Sequence, residues 1–218
     1  QIATLDQQLQ ELKRRLNTAS SQEFIKVQSE LIGTLHEMKV GDKALGEGDT
    51  VPDFALPDQV GAIVRLGDLL KMGSVVLSFF RGAWCPYCET ELRALHMSLP
   101  DIQARGARLI AVSPQSLDHS VSMAERLLLD YSILEDKGNE VAKRFGLAYE
   151  IPQEFQEFHD VNVAKIAEYN GDLSYLLPVP ATYVIDPEGV ARFAYVNADY
   201  TCRAEPADVL SVLEEINT

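Results

Sequence analysis

The sequence predicts an α/β fold: a central mixed β-sheet flanked by helices, with a helical extension at the N-terminus. Three observations predict it. From about residue 48 onward, short runs of β-forming residues alternate with stretches of helical period. Two cysteines, Cys85 and Cys88, stand where one such strand gives way to a helix. Before them, residues 2–38 carry two amphipathic helical stripes and no strand pattern.

Taken in order, Ile2, Leu5, Leu9, Leu12 and Leu16 recur at helical spacing. After a break at Thr18, Ser20 and Ser21, so do Phe24, Val27, Leu31, Leu35 and Met38. Residues 1–47 therefore read as a helical hairpin extension. Its stripes lie far in sequence from the core elements, and the expectation is a dimerisation arm, giving a homodimer through these helices. Gly41, Gly46, Gly48 and Pro52 mark a linker. Residues 48–218 form the main domain, with residues 51–56 and 63–66 as a hairpin.

The run Ser74–Phe80 is a buried strand, and the acidic-led stretch after Cys88 is a helix that Pro100 kinks or ends. A strand at 108–113, a helix at 116–129, a strand at 132–134 and a helix at 139–145 follow. Residues 147–178 read as an insertion, helical after Ile151 and Pro152, with packing as its default role. Residues 179–186 and 190–196 form a hairpin across the Asp186–Gly189 turn, and Pro206 opens a last helix.

The chemistry lies in Cys-Pro-Tyr-Cys. Residues three apart share a helix face, so Cys85 and Cys88 can close a small disulfide ring. Cys85 falls at the helix start, where free N–H groups favour a thiolate, the nucleophilic form. Pro86 suits the first helical position. Cys88, one turn in, suits the attack that resolves a mixed disulfide or sulfenic acid on Cys85. Two other readings of the pair are a zinc site and inert packing. Zinc needs two further ligands, and no second C-x-x-C or paired histidine supplies them. No cofactor motif and no metal-ligand spacing is read. Trp84 is expected to shield the thiols, and Tyr87 to be exposed. Arg81 and Arg203 are read as surface arginines that could instead lend charge to the site. Cys202 is read as a surface or packing cysteine.

Of 218 residues, 46% are hydrophobic, enough for a large core, and the formal charge is −14. That charge argues against nucleic acid or an anionic membrane as partner. Three cysteines are too few for a disulfide scaffold and predict a reducing compartment. With no basic-then-apolar leader at Gln1, the expected location is cytoplasmic, and the absence of an initiating Met suggests residues upstream.

Three segments carry a family resemblance: Val51-Pro52-Asp53-Phe54-Ala55-Leu56, Arg81-Gly82-Ala83-Trp84-Cys85-Pro86-Tyr87-Cys88 with Glu91-Leu92, and Pro180-Ala181-Thr182-Tyr183-Val184-Ile185-Asp186-Pro187. They resemble the thioredoxin fold and, within it, the peroxiredoxin-like alkyl hydroperoxide reductase and thiol-specific antioxidant family. The resemblance implies a thiol-dependent antioxidant enzyme. Cys85 attacks a peroxide or a disulfide, Cys88 resolves the product, and a thioredoxin- or glutaredoxin-type dithiol reduces the Cys85–Cys88 disulfide. It also implies a cis-proline at Pro180 facing the thiols, with Val179 offering backbone hydrogen bonds to a partner.

The chain departs from the family pattern at three positions. Peroxiredoxins place Thr or Ser three residues before the attacking cysteine and Pro four before that; here stand Gly82 and Ser78. Their arginine before the late strand is replaced by Pro180. The frame thus favours a peroxidase, and these local residues a dithiol–disulfide oxidoreductase with little peroxidase activity. A redox-responsive binding protein is the reading from another class.

Overall fold

The computed structural model describes residues 3–218, so Ile2, the first residue of the predicted stripe, lies outside them. The chain begins with helices α1 (Leu5–Ala19) and α2 (Gln22–Glu37). A hairpin follows, β1 (Ala55–Pro57) and β2 (Ile63–Arg65), then α3 (Leu66–Leu70), β3 (Val75–Phe79) and α4 (Pro86–Met97). Next come α5 (Leu99–Ala104), β4 (Arg108–Ser113), α6 (Leu117–Leu127), β5 (Ser132–Glu135) and α7 (Glu140–Arg144). The stretch 147–178 holds β6 (Ala148–Glu150), α8 (Gln153–Asn162), α9 (Ile166–Asn170) and β7 (Leu176–Pro178). The chain closes with β8 (Ala181–Ile185), β9 (Ala191–Val196) and α10 (Pro206–Ile216).

The central sheet has the order β5-β4-β3-β8-β9. Strand β3 pairs parallel with β4 and antiparallel with β8, which makes the sheet mixed. All of β3 is buried, Ser78 among its Val, Leu and Phe side chains, as a middle strand covered on both faces requires. Each apolar side chain there contributes about 1.5–3 kcal/mol by leaving water. Because β3 is central and its two neighbours hold it on both sides, the turn after Phe79 is fixed in space.

Part of the N-terminal helices' apolar stripe is covered by the domain itself. Leu5, Leu9, Leu31 and Leu35 are buried in the same core as the sheet. Glu205, at the start of α10, accepts hydrogen bonds from the Leu5 and Asp6 N–H groups at 3.1 and 2.6 Å. A carboxylate there satisfies free donors and meets the positive helix end. Those four leucines are thus covered within the chain, by the domain's own apolar surface. The linker packs too. Leu45 accepts from the Tyr183 hydroxyl at 2.9 Å, and its N–H donates to Phe145. Gly146, at φ +73°, passes so close to Lys43 that a Cβ would meet its carbonyl oxygen at 2.4 Å.

Pro100 does not kink α4; it sits in the first turn of the separate helix α5. Within that stretch, β6 and β7 pair antiparallel, with α8 and α9 between them in the chain. Phe158 of α8 meets Phe24 of α2 at 5.6 Å between ring centroids, so α8 and α2 brace each other. Among the described residues no helix is long and apolar enough to cross a membrane.

Candidate active site

Strand β3 delivers the chain to a turn at residues 80–84, and α4 begins at Pro86 with Cys85 as its N-cap. The Cys85 Sγ accepts the Cys88 N–H at 3.4 Å, the capping bond an oxygen would ordinarily make. Cys85 is 1% exposed and Cys88 fully buried; both are free thiols. Pro86 is where the sequence places it, in the first turn.

Two arginines reach the sulfurs. Arg81 Nη1 lies 3.7 Å from Cys85 Sγ, and the Arg81 N–H donates to Cys88 Sγ at 3.5 Å. Arg203 Nη2 donates to Cys88 Sγ at 3.1 Å. Neither arginine is on the surface as expected; both are buried. The Arg81 guanidinium is sandwiched between the Trp84 and Tyr200 rings, 4.7 and 4.0 Å from their centroids. Such faces hold a cation without neutralising it, which leaves its field for the sulfur. Arg203 donates through Nε to Glu91 at 2.7 Å and through Nη1 to the Tyr200 carbonyl. The other Glu91 oxygen accepts from Thr182 at 2.9 Å.

These contacts separate the two thiols. Burial opposes ionisation of Cys85. It is outweighed by a hydrogen bond from the Cys88 thiol, by Arg81 and Arg203, and by the Cys88 N–H, which hold the Cys85 pKa at about 5. Burial pushes Cys88 up, and the adjacent Cys85 sulfur pushes it further. At neutral pH the pair is one thiolate, Cys85, beside one thiol, Cys88. Burial also raises the Glu91 carboxyl, with Arg203 pulling against it.

The turn is held from outside. Gln115, beyond β4, accepts from the Ala83 N–H at 2.8 Å and donates to Ser120. Gly82 explains a departure from the family pattern. A Cβ there would lie 2.3 Å from Trp84 Nε1, so the indole fills the space a Thr or Ser side chain would need. His159 of α8 packs edge-on to Trp84, at 5.0 Å between centroids. Burial and the nearby Arg81 charge lower its pKa to about 4, so it is neutral at physiological pH. Trp84 thus packs between His159 and the Arg81 guanidinium beside the thiol turn.

Three expectations need correction. Tyr87 is buried rather than exposed, packed edge-on against Tyr200. The Val179–Pro180 bond is trans, since no cis peptide occurs among the described residues. Val179 is also buried, and its N–H is committed to the Leu147 carbonyl at 2.8 Å, so that donor is closed to a partner. Leu147, just before β6, supplies this cover. Sequence reasoning also missed Glu91, Thr182, Tyr200 and His159 as site residues. Glu91 was within reach: it lies three residues after Cys88, on the same helix face. The others arrive from distant segments and carry no local signal.

A cavity of about 530 Å³ opens over Cys85, between the thiol turn and the α1–α2 hairpin. Arg81, Trp84, Cys85 and Tyr87 form its floor.

A mixed sheet whose central strand presents a thiolate–thiol pair at a helix N-terminus defines a thioredoxin-fold thiol oxidoreductase. The AhpC/TSA family model matches residues 47–194, well over half of the chain, and the chain belongs to that family. Among curated proteins it is 28% identical over 151 residues to peroxiredoxin Q, chloroplastic, of Sedum lineare, covering 69% of each chain. It is 30% identical over 153 residues to the protein of that name from Arabidopsis thaliana, covering 70% of this chain and 60% of the relative. Among solved structures, peroxidoxin BcpB from Mycobacterium tuberculosis superposes with a TM-score of 0.61 at 27% identity, covering 78% of this chain and 97% of the other.

Proposed function

We propose that the chain is a thiol-dependent peroxidase in which Cys85 attacks and Cys88 resolves. The observation that carries this is the Cys85 thiolate at the floor of a cavity, held by the Cys88 thiol and N–H, by the Arg81 guanidinium and by the charge of the buried Arg203 beside Cys88. The Cys85 sulfur attacks the terminal peroxide oxygen. The S–O bond forms as the O–O bond breaks, and the alkoxide or hydroxide leaves and takes up a proton. Charge at that oxygen develops beside Arg81, which supplies what the family's missing hydroxyl and strand arginine would. Once Cys85 is a neutral sulfenic acid, the charge that suppressed ionisation of Cys88 is gone. Arg203 and the Arg81 N–H then favour a Cys88 thiolate, which attacks Cys85 Sγ and expels the oxygen as water. The relatives' name, peroxiredoxin, supports this reading over plain disulfide exchange.

A thioredoxin- or glutaredoxin-type dithiol returns two electrons to the Cys85–Cys88 disulfide. The three free thiols and the net charge of −14 support a reducing, cytoplasmic setting with neither nucleic acid nor membrane as partner. A homodimer through the N-terminal helices has no such support, because their buried leucines already face the domain. Stopped-flow mixing of reduced protein with peroxide tests the central step. Rapid loss of the Cys85 thiolate, abolished in Cys85→Ser, is expected. Reduction of small disulfides with no peroxide reactivity would replace this reading with the disulfide-exchange one.

A further inference from the structure

We infer that the cavity over Cys85 is a redox-gated anion site. Once the Cys85–Cys88 disulfide has formed, the Arg81 guanidinium at the cavity floor takes the carboxylate of a small organic anion, and that anion holds the protein in the disulfide state. The inference goes beyond the peroxidase reading: it needs only the Cys85 thiolate and its oxidation, whatever the oxidant.

Charge at the cavity floor changes when the disulfide forms. The Arg81 side chain is buried, its Nε has no hydrogen-bond partner, and Nη1 faces the Cys85 sulfur at 3.7 Å. Burial keeps the nearby phenols of Tyr149 and Tyr200 neutral, and His159 is neutral as well. Among the described residues the Cys85 thiolate is therefore the counter-charge that Arg81 has. Arg203 differs, because Glu91 pairs with it at 2.7 Å. In the reduced protein the floor balances, Arg81 against Cys85 and Arg203 against Glu91. Disulfide formation turns the thiolate into a neutral sulfur and leaves a buried guanidinium unpaired, a costly state. The faces of Trp84 and Tyr200 hold the cation but do not neutralise it. Its relief lies on the open side, since Arg81 lines the cavity. Lys13 and Asp199, on the walls, have opposite charges that oxidation does not alter, so the gain in positive charge is that of Arg81.

The walls fit an organic carboxylate better than a bare inorganic ion. A water takes about 30 Å³ of liquid, and an oxyanion of a few atoms fills only a small part of about 530 Å³. The amides of Asn17 and Asn162 stand among Leu16, Phe24 and Ile32. A carboxylate on a polar, partly apolar body meets both kinds of group, and a guanidinium is the donor that suits its planar oxygens.

The redox step balances. The Cys85 thiolate and the Cys88 thiol lose two electrons and one proton as the S–S bond forms. A peroxide takes the two electrons and two protons, one of them from solution, and leaves as an alcohol and water. A ligand that favours the disulfide form then makes that form harder to reduce by the same factor.

The test uses the full-length chain in its dithiol and disulfide forms, with N-acetylglycine titrated into each at constant ionic strength. Trp84, the single tryptophan, covers one face of Arg81, and its fluorescence is the readout. The disulfide form is expected to bind about tenfold more tightly, between the water-exposed and interior limits for two unit charges in contact. Saturating N-acetylglycine is expected to move the midpoint of the pair in a thiol–disulfide redox buffer about 30 mV more negative, the same tenfold. The neutral N-acetylglycinamide should do neither. Cys85→Ser combined with Cys88→Ser removes the thiolate without making a disulfide, and should bind as tightly as the disulfide form. Arg81→Gln should lose the preference; if it fails to fold, the double serine variant still decides. Equal affinity for the two redox forms, or a double serine variant that binds no better than the dithiol form, overturns the inference and leaves the peroxidase standing. Sulfate that matches N-acetylglycine overturns the assignment to a carboxylate. The disulfide can be made with diamide, so a protein that no peroxide oxidises loses the peroxidase reading and still decides this one.

Discussion

Replacing Arg81 by glutamine removes a full charge 3.7 Å from the attacking sulfur while keeping much of the side chain's volume. At an effective dielectric near 20, two unit charges at that distance interact by about 4 kcal/mol, equivalent to about 3 pH units in the thiol's titration. Water drawn toward the vacated charge, and the remaining Arg203, reduce this to about 2 pH units. The sign follows from the thiolate being the charged form: losing a neighbouring cation raises the pKa. Cys85 should then titrate near neutrality rather than at about 5. At pH 6 the thiolate fraction would fall from about nine-tenths to about one-tenth, and the rate of alkylation by iodoacetamide would fall about tenfold with it. The assay is alkylation rate against pH, read at Cys85 by mass spectrometry. Arg81→Lys serves as the control that keeps the charge and should recover part of the effect. A midpoint in Arg81→Gln that stays within about half a pH unit of the parent's would refute the assignment of Arg81 as a major source of thiolate stabilisation.

Arg203→Met leaves the buried Glu91 carboxylate without its cation and should cost about 3–5 kcal/mol in chemical denaturation. Arg203→Met combined with Glu91→Leu should recover most of that loss, and a strictly additive double variant would contradict the pairing. Gly82→Ala should displace the Trp84 indole and cost about 1–3 kcal/mol, with a red-shifted emission from the single tryptophan as the readout. In the parent protein, alkylation of Cys85 should rise through pH 5 and then stay flat to pH 8. His159, with its pKa lowered to about 4, adds no second inflection there; one that disappears in His159→Gln would show that it does titrate. Glu205→Ala should loosen the start of α1 by about 1 kcal/mol, seen as faster hydrogen exchange at Leu5 and Asp6.

The sequence by itself determined the strand at β3, the thiol pair at the start of α4, the alternation that builds a mixed sheet, and the family frame. These are local facts. A run of Val, Leu and Phe, a proline at a first helical turn and two cysteines three apart each act within a few residues, where spacing sets geometry. Only the tertiary structure decided what surrounds the sulfurs. Arg203 lies 115 residues from the cysteine it touches, and Thr182 lies 91 from Glu91, so no spacing rule could pair them. Arg81 could be counted as a neighbour of Cys85, but its burial between Trp84 and Tyr200 depends on a ring from the far end of the chain. The hairpin's amphipathic stripe likewise said that it must be covered, not by what. Apolar burial is non-directional, so the choice between a second copy, the chain's own core and a ligand falls to whichever surface the fold brings against it. Here the fold placed part of that stripe on the core and left the rest facing Cys85.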